Sequence, residues 1–173
     1  MTVIPRPGPG EFAPTSAGTI DLVPEGGLPD LLESQPKRLE TLLTGLPEAR
    51  GGFRYAPGKW SLKDLLLHIT DTERIMAYRL LHIARGDQTA LAGFDQDEYV
   101  RTGHADARSL GDLVVEFSAV RQATLALVQS LDAEAWTRMG TSRDKPVSAA
   151  AVAHILAGHA AHHLAILEER YIR

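Results

Sequence analysis

The chain has 173 residues, 44% of them apolar and 23% charged, with no cysteine and a formal net charge of −4. A chain of this length and composition reads as one globular domain able to fold without disulfides or a structural metal. The absence of cysteine excludes disulfide frameworks, thiolate zinc sites, iron–sulfur clusters and a cysteine nucleophile, so any metal must be held by His, Asp or Glu. No Lys/Arg run is interleaved with aromatics, so neither nucleic acid nor an anionic membrane is the expected partner.

Residues 1–26 carry five of the ten prolines and no helical period, which predicts an extended arm ahead of a bundle domain over residues 27–173. The same Pro and Gly breakers interrupt any export signal, and other apolar stretches fall short of the ~18 residues that span a bilayer. A cytoplasmic protein is expected. Leu28, Leu31, Leu32, Leu39, Leu42, Leu43 and Leu46 then recur at three- and four-residue steps, predicting an amphipathic helix. Pro36 predicts a kink or a late start, and Gly45 with Pro47 closes the helix.

Ser61, with Asp64 three residues on, has the pattern of a capping box opening a second helix from Leu62 to about Arg85. The connection over residues 87–108 is long for a bundle, with a helical turn expected at 95–100, and connections of this length often pass over sites. Ser109 caps a third helix to about Ser130, with Leu110, Leu113, Val114, Phe117, Val120, Leu125 and Val128 on its apolar face. A turn at 132–136 and a polar loop lead to Ser148, which opens a fourth helix running almost to the C-terminus. With no strand signal and no repeat, the expected class is all-α, an antiparallel four-helix bundle whose long connection between helices two and three allows a crossover in place of plain up-down topology.

The histidines carry the chemistry. On the fourth helix Val152, Ile155, Leu156, His159, His163, Ile166 and Leu167 share one face, which sets two imidazoles four residues apart in an apolar stripe. A buried imidazole must satisfy two ring nitrogens, and two rings over one turn have the geometry by which helical histidine pairs bind zinc. His68, flanked on its face by Leu65 and Thr72, supplies a third ligand from the second helix. Three protein ligands with one open position is the catalytic pattern, whereas structural sites are closed by four. The competing reading is core histidines satisfied by hydrogen bonds. His154 points about 140° away from His159, and His82 lies about 21 Å along the axis from His68. His104 falls in a loop. His162 is the rival candidate, either a ligand one turn from His159 or a proton-shuttling neighbour.

The stretch YAPGKWSLKDLLLHITDTERIMAYRLL, followed far downstream by LAGHAAHHLAILEERY, resembles the DinB-like family, which includes the YfiT-type metal-dependent hydrolases. The resemblance runs from Leu28 onward and has no counterpart for the arm. It implies a DinB/YfiT-like four-helix bundle with a crossover and metal ligands at His68, His159 and His163. Members with assigned activity include S-transferases and isomerases that use low-molecular-weight thiols, so the resemblance fixes the scaffold more firmly than the reaction.

A His₃ centre with an open position serves either reaction, by lowering the pKa of a bound water to about 7 or by holding an incoming thiolate. Three imidazoles suit zinc and nickel, and also iron or copper. Asp64, Asp71 and His162 are the candidate bases, although a solvated helix surface is the plainer reading of the two carboxylates. Trp60 either walls the pocket mouth or anchors the helix start. Arg74, Arg79 and Arg85 could take an acidic substrate or a thiol cofactor's carboxylate. The acidic run at 95–98 lacks calcium-loop spacing. Ile75, Met76, Leu80 and Leu81, outside the main stripe, predict a homodimer. The alternative to a small-molecule enzyme is a non-catalytic metal or small-ligand module, a sensor or stress protein, in which a fourth protein ligand would seal the ion.

Overall fold

The computed structural model describes residues 3–172. Four helices form the bundle: α1 (Leu28–Leu43), α2 (Leu62–Ala84), α3 (Leu110–Gln129) and α4 (Ala149–Ile166), the last continued by a π-helical turn at Leu167–Ile172. Their starts follow the capping chemistry. Asp64 N–H donates to Ser61 Oγ at 3.1 Å while Ser61 N–H donates to the Asp64 carboxylate at 2.9 Å. Ser109 and Ser148 accept from the backbone N–H of Asp112 and Ala151 in the same way. Gly86, at φ 78°, ends α2 in the left-handed conformation that L side chains resist.

The core has two layers. One joins Leu28 and Leu32 of α1 to Leu80 and Ile83 of α2, Val128 of α3 and Val152 of α4. The other joins Leu39 and Leu43 to Leu62 and Leu65, to Leu110 and Leu113, and to Leu164. The end of α1 therefore meets the starts of α2 and α3 and the end of α4. α2 and α3 run parallel, opposite in direction to α1 and α4. α2 packs on both α3 and α4, and α1 on both α3 and α4. Parallel neighbours cannot be joined by a tight turn, which is why the connection between α2 and α3 crosses the length of the bundle. It carries the short helix Gln96–Gly103, capped by Asp95.

Four features depart from the sequence expectation. α1 runs unbroken through Pro36. Proline has no N–H for the carbonyl four residues back, and that carbonyl, on Leu32, instead accepts from Arg121 Nη1 at 2.9 Å. The polar loop before α4 is an antiparallel hairpin, β1 (Met139–Ser142) with β2 (Lys145–Ser148), and the residues before it form the short helix Ala133–Thr137. Its turn residues Arg143 and Asp144 have φ of 52° and 60°. Both positive values are those of a two-residue hairpin turn that normally takes Asn-Gly, so the usual sequence signal is missing. Leu91 of the long connection pairs with this hairpin through Thr141 O and Arg143 N.

The N-terminal segment, expected to be extended, forms helical turns at Pro14–Ser16 and Ala17–Ile20, and buries Ile20 and Val23. It lies so close to α4 that a Cβ on Gly158 would sit 2.0 Å from the carbonyl oxygen of Thr19. Finally, the helix Ala149–Ile172 contains a window long and apolar enough by composition to cross a membrane, contrary to expectation, yet 61% of that window is buried inside the bundle.

Candidate metal centre

The antiparallel packing of α2 on α4 sets the first half of one helix against the last half of the other. His68 thereby meets His159 and His163. The His68 ring lies 5.0 Å from His159 and 4.9 Å from His163, centre to centre, and the two α4 rings are 4.4 Å apart. One nitrogen from each of the three lies within 4.8 Å of the others, and the Nε2 atoms of His68 and His159 are 3.0 Å apart. Imidazole nitrogens bound tetrahedrally at ~2.0–2.1 Å stand about 3.3–3.4 Å from one another. The trio is therefore close to ligating geometry.

Its electrostatics suit the same role. Burial pushes the pKa of His68 down to about 4, with Asp97 opposing. Burial, reinforced by the neighbouring imidazoles, takes His159 to about 3 and His163 to about 2. All three are neutral at physiological pH, the form that coordinates metal. His163 Nδ1 is buried without a hydrogen-bond partner, an arrangement that costs stability unless something else takes up the lone pairs of the trio. Among the described residues, the group able to hold a metal comprises these three histidines.

Trp60 packs against His68 with ring centres 4.6 Å apart and planes tilted by 46°, and its indole N–H donates to Asp97 Oδ1 at 3.1 Å. The long connection is thus latched over the site, and Trp60 forms its wall. Two clefts reach the trio. The larger, about 470 Å³, is lined by His68 and His159 together with Thr72, Arg79, Phe94 and Arg143. The smaller, about 270 Å³, reaches His163 beside Trp60 and Tyr171. A wider depression of about 520 Å³ around Asp64, Arg101 and His104 touches none of the three histidines.

The remaining predicted residues divide clearly. His162 is exposed, its ring 5.1 Å from that of His163, outside the ligating group but beside it. Asp64 is committed to the α2 cap and to Arg54, 3.1 Å away. Asp71 pairs with Arg74 at 3.2 Å, and burial raises its pKa against the pull of that arginine. Arg74 also binds Glu116 at 2.6 Å, and Arg85 is exposed at the end of α2. Of the three arginines singled out by sequence, Arg79 alone lines the large cleft. His154 is held through Nδ1 by Ala150 O at 2.8 Å, and His82 through Nε2 by Thr89 O at 2.9 Å. His104 sits in the left-handed conformation that ends the short helix. Sequence reasoning missed Arg143 and Lys145, which reach the cleft from the unforeseen hairpin.

A four-helix bundle with two parallel neighbours, a long crossover and three inward imidazoles on facing helices defines a helical scaffold built around a potential metal site. The chain belongs to the DinB superfamily, whose family model matches residues 31–167. Its fold is similar to that of YfiT from Bacillus subtilis, with a TM-score of 0.74 over 91% of this chain and 90% of that one at 15% identity. That protein is described as a probable metal-dependent hydrolase with an unusual four-helix bundle topology. No curated relative matches the chain.

Proposed function

We propose that the protein is a metal-dependent enzyme that holds one divalent ion, zinc or nickel, on His68, His159 and His163 and acts on a small molecule. The observation that carries this reading is the opening of the 470 Å³ cleft directly onto two of the three imidazoles. A ligand cavity of ~300–1,000 Å³ is the size used for small substrates. When bound, the ion would supply Lewis-acid chemistry that acidifies a water or a thiol. Trp60 excludes solvent from one side and fixes the plane of His68. His162, exposed at the rim beside His163, is placed to carry a proton between the site and solvent. Asp64 and Asp71 are the weaker base candidates, because each carboxylate already has an arginine partner.

Two clefts meeting at one trio favour a reaction of two bound reactants, so thiol-dependent S-transfer is the first reading and a low-molecular-weight thiol the expected co-substrate. Hydrolysis is the second, supported by the description of YfiT. Metal-loaded protein incubated with small thiols and alkylating acceptors, in parallel with ester and amide substrates, separates the two. Turnover only without thiol would favour hydrolysis, and no turnover in either screen would count against an enzyme.

The expected setting is the cytoplasm, without nucleic acid or membrane as partner, and the expected assembly a homodimer. Met76 and Leu80, two of the residues that suggested it, are buried in the core, which leaves Tyr78 and Leu81 exposed on α2. Sedimentation at micromolar concentration tests that proposal, and a monomer would refute it.

A further inference from the structure

Among the described residues two arginines are buried, and they are treated in opposite ways. Arg121 is fully enclosed, and its fork donates to both oxygens of Glu73 at 2.6 and 2.8 Å. Arg79, 8% exposed, has only neutral partners: the carbonyl of Ala92 at 2.8 Å, the sulfur of Met76 at 3.6 Å and the ring of Phe94. A guanidinium taken out of water without a counter-ion is costly, and Arg79 lines the large cleft. Two further cations, Arg143 and Lys145, reach the same cleft from the hairpin. Among the described residues no carboxylate lies within ion-pair distance of any of the three, and none lines the cleft. Burial lowers the pKa of Arg79, and the charge of Arg143 lowers it further, as expected of like charges held together with no anion between them. Thr72, 7% exposed on the same wall, has a buried hydroxyl with no partner. A cation cluster with no acid beside it and a buried hydroxyl without a partner is the inventory of a site for an oxyanion.

We propose that Arg79, Arg143 and Lys145, with the hydroxyl of Thr72, form an anion-binding subsite in the large cleft. It would hold a carboxylate or phosphate group of the substrate while the reacting end faces His68 and His159. The orientation of the substrate rests on the metal-enzyme reading; the anion site itself does not. Arg79 is the anchor, because it alone is both buried and unpaired. Arg143 adds charge from a turn in which a non-glycine residue is held at positive φ, a conformation retained where the surrounding structure requires it.

The test is calorimetric titration of the full-length protein, zinc-loaded and chelated, with succinate and with inorganic phosphate at low ionic strength, and with neutral succinamide as control. At least one anion should bind in both forms and succinamide in neither, and the stronger of the two anions identifies the head group. Arg79→Gln should weaken binding by at least about tenfold, the loss expected when charge-assisted hydrogen bonds are removed. Arg143→Gln, on an exposed turn where folding is not at risk, should weaken it about threefold, and Arg74→Gln should leave it unchanged. Metal content should be equal in all of them. Anion binding that persists in Arg79→Gln and Arg143→Gln, or no anion binding by the wild type up to millimolar concentration, overturns the proposal. Anion binding by a protein that takes up no stoichiometric zinc on loading would sink the metal reading and leave the subsite standing.

Discussion

Removing the Arg121 side chain should be among the most damaging single changes in this bundle, and the structure says why. Arg121 donates to Glu73, to Gln35 Oε1 at 2.6 Å and to the carbonyl of Leu32 at 2.9 Å, while Gln35 in turn donates to Ala157 O of α4 at 2.8 Å. One guanidinium on α3 thus ties together α1, α2 and, through Gln35, α4. Arg121→Met leaves the Glu73 carboxylate buried and unpaired, at a cost of ~3–5 kcal/mol. It also strands the Leu32 carbonyl, which Pro36 cannot serve, adding about 1–3 kcal/mol. A total of at least ~4 kcal/mol is expected, with the two parts not strictly additive. Arg121→Met with Glu73→Leu removes both charges and should recover much of the loss, leaving the cost of two stranded acceptors, the Leu32 carbonyl and Gln35 Oε1, at about 1–3 kcal/mol each. Pro36→Ala in that double variant restores an N–H for Leu32 and should stabilise it further. Urea unfolding of chelated protein, read by circular dichroism with comparable m-values, measures all of these. A cost below about 1 kcal/mol for Arg121→Met, or a double variant no more stable than the single one, would refute the reasoning.

Three further outcomes follow from the geometry. Gly158→Ala forces a methyl group onto the backbone of Thr19 and should undock the N-terminal segment, costing ~1–3 kcal/mol and exposing the chain around Ile20 to limited proteolysis; an unchanged melting temperature would contradict the packing. Chelation should leave helical circular dichroism nearly intact while lowering stability by about 1–3 kcal/mol, since the imidazoles are left as buried polar groups; unfolding at room temperature would instead make the ion structural. In the metal-free protein His68 titrates near 4 when folded and near 6.5 when unfolded, so the unfolded chain binds the extra proton and stability falls as pH drops below about 6.5. At pH 5 the 1.5-unit gap from 6.5 is worth on the order of 2 kcal/mol from His68 alone, and a urea midpoint equal at pH 5 and 7 would rule that burial out.

Much of the bundle could be read from the chain because its helices begin on serine caps and carry leucine stripes, signals that act within a few residues. Ser61, Ser109 and Ser148 cap helices whose first residues are those expected. The trio was legible for the same reason: His159 and His163 sit four apart on one face, and His68 lies early enough on α2 to meet them in an antiparallel pair. What escaped depended on distant partners. The late start offered at Pro36 fails because Arg121, far along the chain, serves the carbonyl that proline abandons, and the helix begins at Leu28. The hairpin escaped because Arg143 and Asp144 adopt positive φ without a glycine, held by pairing with Leu91. Arg143 and Lys145 were hidden with it, so the charge of the large cleft could not be seen. Arg74, Arg79 and Arg85 looked alike on a helix; only packing shows that Arg74 has acidic partners and Arg79 has none.

The most direct test of the account is metal analysis of protein purified without a histidine tag, wild type beside single variants whose helical content is verified. The wild type should carry one divalent ion per chain. His68→Ala, His159→Ala and His163→Ala should each lose most of it, while His82→Ala, His154→Ala and His162→Ala keep it. Full occupancy in the first three variants, or a wild type that stays metal-free after dialysis against zinc and nickel, would contradict the assignment of this trio as the metal site.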